Sequence, residues 1–324
     1  MKAVLVEELG GPDKLVYRDH EIGKPGPGRV TIDVKYAGVN FPDTLIIRGK
    51  YQFQPDLPFS PGGEVAGVIK EVGADVKDFK PGDRVVSGTG WGGFAEEVFG
   101  FAFNTHHLPD EVSFKDAAAT LMTHGTVFHA LKDRAHLMEG ETLAILGASG
   151  GVGTAAIQLG KQMGANVIAC ASSDEKLQFC KELGADVLHK YTPENIKSAL
   201  KDLTGGKGAD IIFDTVGGDY SEQAFRGIAP MGRYLVVGFA SGSVPSIPLN
   251  LPLLKSASVV GVFWGNFFRN FQDSNKSNIQ QLLEMIASGK ISSAIDSIYG
   301  LKDAAIALEK IEKRSVKGKI LIEC

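Results

Sequence analysis

The sequence predicts a two-domain α/β protein: a barrel or folded sheet, then a doubly wound parallel sheet. Three observations predict it. Residues 1–122 are rich in Gly and Pro and hold short β-like runs separated by turn residues. From about residue 123, continuous apolar runs alternate with helical segments, the pattern of a parallel sheet covered on both faces. The chain ends in one more β-like run, Gly318-Lys-Ile-Leu-Ile-Glu. Pairing of that run with the first sheet makes the first domain discontinuous. At 324 residues there is material for two cores.

In the first part the strand-like runs are residues 29–36, 67–72 and 84–86. Lys80-Pro-Gly-Asp between the last two predicts a type II turn, with Pro81 presetting φ and Gly82 accepting φ > 0. In the second part, residues 143–146, 167–171, 211–214 and 234–238 each read as a strand. A helix starts near Val152, whose stripe is Val152, Ala155, Ala156, Leu159 and Met163, and Gly164 ends it. A second helix opens at Ser173-Asp174-Glu175 and runs to Leu183, closed by Gly184. The tail holds a helix with Ile279, Leu282, Leu283 and Ile286 on one stripe, a strand near 295–299, another helix and the closing strand.

Composition narrows the function. Hydrophobic residues make up 44% and charged residues 22%, and the net charge is −4, so no footprint for nucleic acid is present. The apolar run at the N-terminus is too short for a signal peptide and is followed by Glu7 and Glu8. No run approaches the roughly 18 apolar residues of a membrane span. Cys170, Cys180 and Cys324 form neither a disulfide framework nor a metal cluster. A soluble cytoplasmic protein with reduced thiols is expected.

The glycine turn after residues 143–146, Gly147-Ala-Ser-Gly-Gly-Val-Gly, carries the chemistry. A strand precedes it and a helix follows. A helix N-terminus offers unpaired N–H groups and partial positive charge to an anion. Ser149, Gly150, Gly151 and Val152 are therefore expected to hold the pyrophosphate of a dinucleotide. Enzymes selecting NAD place an acid at the tip of the second strand. Here that tip reads Ala171-Ser172-Ser173. Asp174, about twenty residues after the turn, competes for that role, but reads better as a residue of the helix start. Ser172, Ser173 and Lys176 suit a 2′-phosphate, so NADPH is favoured over NADH.

The chain also resembles the zinc-free, zeta-crystallin-like quinone oxidoreductases of the medium-chain dehydrogenase/reductase superfamily. The matching segments include Ala37-Gly-Val-Asn-Phe-Pro-Asp-Thr, Pro61-Gly-Gly-Glu-Val-Ala-Gly-Val-Ile, Phe79-Lys-Pro-Gly-Asp-Arg-Val, the glycine turn, Asp214-Thr-Val-Gly-Gly and Lys317-Gly-Lys. They run in order along nearly the whole chain. The resemblance implies a GroES-like catalytic domain of residues 1–124 and 265–324 and a Rossmann dinucleotide-binding domain of residues 125–264. It implies an active site in the cleft between them, and a homodimer or homotetramer built through the nucleotide domain, with residues 258–264 as the edge strand. The zinc enzymes of the superfamily carry Cys where this chain has Asn40, and Gly-His-Glu where it has Gly62-Gly63-Glu64. A catalytic zinc needs about three protein ligands. Only Glu64 remains, and His106, His107, His124 and His129 do not restore the set, so no zinc is expected.

The resemblance further implies that Asn40 and Thr126 face the nicotinamide, Asn40 as an amide donor and Thr126 through its hydroxyl, with Asp43 behind Asn40. It implies Tyr191 near the adenine, and Val216, Gly238, Phe239, Phe263 and Trp264 along the cofactor groove, reached by Lys319 from the closing strand. Tyr51 matches a tyrosine of related 2-enoyl thioester reductases, where a phenol protonates the carbon beside the carbonyl. The expected activity is hydride transfer from NADPH to a quinone or other conjugated carbonyl. Reduction of enoyl thioesters or alkenals with Tyr51 as acid is the alternative, and a non-catalytic NADPH-binding regulator or structural protein is the alternative of another class.

Overall fold

Residues along Arg29–Val39 are buried on both faces near its start, at Val30, Thr31 and Ile32, because that segment has neighbours all round. In the computed structural model, which describes residues 1–324, this strand pairs antiparallel with Glu64–Val72, with Glu97–Phe101 and, near its end, with Lys319–Glu323. The sheet continues through Arg84–Gly88 to Thr105–His107 on one side and to Ile295–Gly300 on the other. Its interior is filled by Val30, Ile32, Val34, Val65, Ile69, Val85, Phe94, Val98, Ile320 and Ile322. The last strand of the chain thus completes the first sheet. The glycine of the Lys80–Asp83 turn sits at φ +94, and the Asp83 amide donates to Lys80 carbonyl oxygen at 3.2 Å. The hairpin Lys2–Val6 with Leu15–Asp19 was not visible in the sequence pattern.

The second part forms six strands, all parallel: Thr142–Leu146, Asn166–Ala171, Val187–Lys190, Ala209–Asp214, Ile228–Val236 and Ser258–Gly261. Numbered along the chain, their spatial order is 3-2-1-4-5-6, the doubly wound arrangement with its switch point between the first and fourth strands. Thr142–Leu146 and Ala209–Asp214 lie centrally and are almost wholly buried, which is why they read as unbroken apolar runs. Val187–Lys190 is short and half-buried, so no apolar run announced it. The stripe expected from Val152 belongs to the helix Gly151–Gln162. The second helix is Asp174–Glu182.

Two compact units result: Met1–Met122 with Phe267–Cys324, and Thr123–Asn266. The expected boundaries, 124/125 and 264/265, lie two residues away at each junction. No helix is long and apolar enough to cross a membrane.

Candidate functional site

In the second unit the glycine turn follows Leu146 directly. A side chain at Gly153 would place its Cβ 2.4 Å from the Gly147 carbonyl oxygen and 2.6 Å from that of Ala148. Glycine is required there for the helix to pack against the turn. Gly150 is different: the nearest atom to its hypothetical Cβ is Gly147 O at 3.6 Å, and its φ is an ordinary −79. Nothing in the protein demands glycine at 150. Bare backbone there leaves room for something outside the chain. Gly150 is also the N-cap of Gly151–Gln162, and no side chain caps that helix, so its first amides are those a helix leaves without an intrahelical partner. Ser149 is buried.

At the tip of the second strand the geometry assigns roles more finely than the sequence did. Asn166–Ala171 ends at Ala171, and Ser173 is the N-cap of the next helix: its Oγ accepts the Lys176 N–H at 3.3 Å. Ser173 therefore already serves the backbone, although its hydroxyl hydrogen can still donate. Asp174 sits in the first helical turn and pairs with Lys190 at 2.9 Å. Ser172 is exposed and Lys176 half-buried. The Tyr191 N–H donates to the Ala171 carbonyl oxygen at 3.3 Å, which places Tyr191 beside that strand end. Its ring packs on Tyr220, centroids 4.8 Å apart.

Asp214 organises the loop beyond the fourth strand, an assignment the sequence reading missed. Its buried carboxylate accepts the N–H groups of Val216 (2.8 Å) and Gly217 (3.0 Å), the Ser221 hydroxyl (2.7 Å) and the Tyr234 hydroxyl. Burial and this carboxylate together push the Tyr234 phenol far above its usual range. Thr215 Oγ1 donates to Leu146 O at 2.9 Å, tying this loop to the glycine turn. Val216, Gly238 and Phe239 are partly exposed here, Trp264 is buried and Phe263 is 44% exposed. Thr126 lies half-buried in the helix Phe114–Phe128. A concavity of about 590 Å³ lined by Glu194, Asp219, Glu222 and Ser243 contains none of the expected nucleotide residues.

In the first unit, three residues far apart in sequence converge. Glu64 is fully buried and Lys319 is 4% exposed, and they form an ion pair at 2.5 Å. Asn40 joins them: its Nδ2 donates to Glu64 Oε1 at 2.8 Å and to Gly38 O at 3.2 Å, and its Oδ1 accepts from Lys319 Nζ. Glu64 Oε2 accepts the Met122 N–H at 2.7 Å. A Cβ on Gly38 would fall 2.3 Å from Glu64 Oε1, so glycine there makes space for the carboxylate. Asp43, behind Asn40, accepts the Asn40 N–H at 2.7 Å and the Gly62 N–H at 3.0 Å. Burial raises its carboxyl to about 6, against the two amides and the Lys319 charge that hold it down. Asn40 was expected to donate through its amide to a bound ligand. In the structure its Nδ2 donates to acceptors inside the protein, Glu64 Oε1 and Gly38 O.

Tyr51 packs at the edge of the barrel core, its ring 6.5 Å from Phe53. Burial, and secondarily Asp43, raises its phenol above the usual value, while Arg269 opposes the shift. It is therefore a neutral O–H donor at physiological pH.

The histidines hold ordinary positions. His129 Nδ1 lies 3.0 Å from Asp133 Oδ2, and His124 Nδ1 lies 3.1 Å from Thr123 Oγ1. Burial drives the His106 imidazole down to about 4. No group of three His, Cys, Asp or Glu residues is placed to hold a metal ion.

Residues 26–110 match the family described as alcohol dehydrogenase GroES-like domain, and residues 151–288 match the one described as zinc-binding dehydrogenase. A quinone oxidoreductase-like protein 2 homolog of Nematostella vectensis is 38% identical over 325 residues, 99% of this chain and 88% of that one. Human quinone oxidoreductase is 33% identical over 329 residues, 99% of this chain and 97% of its own. Among solved structures, the Escherichia coli quinone oxidoreductase complexed with NADPH superposes with a TM-score of 0.93 at 30% identity, over all of both chains. That of Pseudomonas syringae pv. tomato gives 0.93 at 35% identity, over 100% of this chain and 99% of the other.

Proposed function

This chain belongs to the quinone oxidoreductase branch of the medium-chain dehydrogenase/reductase superfamily, and from that premise we propose that it is an NADPH-dependent, zinc-independent reductase of quinones or other conjugated carbonyls. The observation that carries the reading is the turn Gly147–Gly153. It combines an uncapped helix start with a glycine, Gly150, that the protein's own packing does not require. NADPH over NADH is supported at the second strand, which ends at Ala171 without a carboxylate. Asp174 is engaged with Lys190, and Ser172, Ser173 and Lys176 stand around the helix start.

Zinc independence is supported by chemistry within the first unit. Glu64, the remaining residue of the zinc-ligand pattern, has both oxygens taken by Asn40, Lys319 and the Met122 amide. The Lys319 ammonium beside it repels a second cation.

When bound, NADPH supplies the hydride. The protein's part is placement, exclusion of water, and hydrogen bonds to the oxygen on which negative charge develops. In this reading Thr126 offers its hydroxyl there, and Tyr51 offers a proton where the acceptor is an enone or enoyl thioester. The residues set along the nucleotide are Ser149, Gly150, Gly151, Val152, Tyr191, Val216, Gly238, Phe239, Phe263 and Trp264.

The testing experiment is a spectrophotometric screen of quinones, enones and enoyl thioesters with NADPH and NADH in parallel, with and without chelator. Chelator-insensitive NADPH oxidation by a quinone is the expected result. Loss of all activity on metal removal, or tight NADPH binding with no acceptor turned over, rejects it. Tyr51→Phe then separates the two enzyme readings. It leaves quinone turnover within about twofold but lowers enone kcat on the order of 100-fold if the phenol is the acid.

A second copy of the chain is the proposed partner. The strand Ser258–Gly261 pairs on one side only, with Ile228–Val236. In the segment that precedes it in sequence, Leu249, Leu253 and Leu254 are exposed, Leu249 at 86%. An edge strand open on one side, with large apolar side chains exposed in the same unit, suits docking of its own symmetry mate. Val259→Lys, half-exposed on that strand, is expected to convert a dimer into a monomer by light scattering without lowering NADPH affinity. An unchanged mass rejects this edge as the interface.

A further inference from the structure

Arg48, Arg84, Arg226 and Arg233 each pair with a carboxylate. Arg269 does not. Its side chain is exposed in the last turn of the helix Trp264–Asn270. Its Cζ stands over two aromatic rings, 4.4 Å from the centroid of Phe53 and 5.7 Å from that of Phe268. No carboxylate and no carbonyl oxygen of the protein meets the guanidinium. A cation in a last turn favours the helix, but that does not call for two rings. Ring faces hold a guanidinium through its charge and leave its planar fork of N–H donors without acceptors. Such a fork matches a carboxylate or a phosphate.

The rings extend the site. Phe268 packs on Phe103 at 6.4 Å and Phe103 on Phe101 at 5.4 Å, and Phe53 and Phe103 are 40% and 38% exposed. Apolar ring surface therefore lies beside the cation. Tyr51 is the other neighbour of Phe53, ring centroids 6.5 Å apart, and Arg269 is near enough to act on its phenol. All these residues belong to one compact unit, Met1–Met122 with Phe267–Cys324.

We propose that Arg269, held over Phe53 and Phe268, binds an oxyanion, and that the acceptors this chain prefers are conjugated carbonyl compounds carrying a carboxylate or a phosphate. The preference for acceptors rests on the proposed NADPH-dependent reduction; the anion site itself does not. The oxyanion sits in the arginine fork, and the apolar body of the ligand lies on the neighbouring rings.

The test uses two matched pairs of acceptors. One is an oxo-enoic acid against its methyl ester. The other is crotonyl pantetheine against its phosphorylated form. In the wild type the anionic member of one pair is expected to show a KM about tenfold lower than its neutral match. A gap in the first pair marks a carboxylate, and a gap in the second a phosphate. Arg269→Gln brings that ratio to about one. Arg269→Lys, which keeps the charge and loses the fork, falls between. Ratios within about twofold in both wild-type pairs overturn the proposal, as does a ratio that survives Arg269→Gln. A matching loss of NADPH affinity in Arg269→Gln also overturns it, because the anion held is then the cofactor's. Calorimetry with the two anionic compounds reads the site without turnover: binding is lost in Arg269→Gln, and equal binding in both proteins overturns the proposal. A wild-type chain that turns over none of the four compounds removes the underlying reduction instead, and calorimetry still decides the anion site.

Discussion

Lys319→Met lowers the stability of the full chain by about 3–5 kcal/mol, the cost of leaving a buried charge without its partner. The magnitude follows from burial. Glu64 is inaccessible and Lys319 only 4% exposed, so water cannot replace the ammonium at the carboxylate. The loss is also shared: Asn40 Oδ1 loses its donor together with Glu64 Oε1. An exposed pair such as Lys2 with Asp19, 2.9 Å apart, is expected to matter little by comparison. Adding Glu64→Gln recovers part of the loss, because no charge is then left buried, although the amide has one acceptor oxygen and cannot serve both Asn40 and the Met122 N–H as the two carboxylate oxygens do. Urea unfolding of the wild type, the single variant and the double variant measures all three terms. A single-variant cost below about 1 kcal/mol contradicts a dry ion pair at this position.

Gly150→Ala and Gly153→Ala should separate binding from folding within four residues. At Gly153 the new methyl group meets two carbonyl oxygens at 2.4 and 2.6 Å, so helix and turn must move apart. A loss of about 2 kcal/mol or more is expected, in line with overpacked positions, with NADPH binding lost alongside it. At Gly150 the new Cβ has 3.6 Å of clearance and a φ any residue adopts. Stability is expected to stay within about 0.5 kcal/mol, while NADPH affinity falls about tenfold or more, since the methyl group stands where the pyrophosphate approaches. Thermal unfolding and NADPH titration on the two variants decide it. Equal NADPH affinity in Gly150→Ala and wild type means that no ligand backbone approaches at 150, and the proposed dinucleotide site is then misplaced.

The two expectations rest on different kinds of information. The second unit was legible because its determinants are local. Central strands buried on both faces must be apolar throughout, and the helix Gly151–Gln162 carries its stripe at helical spacing. The short strand Val187–Lys190 and the hairpin at the N-terminus escaped because half-buried, mixed segments carry no periodic signal. Ser173 was expected both to open a helix and to face a phosphate, and its hydroxyl accepts the Lys176 N–H at the start of that helix.

The chain by itself determined the doubly wound sheet, the glycine turn at its switch point and the return of the last strand to the first sheet. These follow from burial pattern and backbone sterics, which act over a few neighbouring residues. Only the tertiary structure decided what Asn40 does. Its amide faces inward because Glu64 lies 24 residues away and Lys319 lies 279 residues away in sequence, and hydrogen-bond partners so far apart meet only when the barrel closes. The buried ion pair of Glu64 and Lys319 is likewise a property of segments brought side by side in the sheet, so no segment read alone could reveal it.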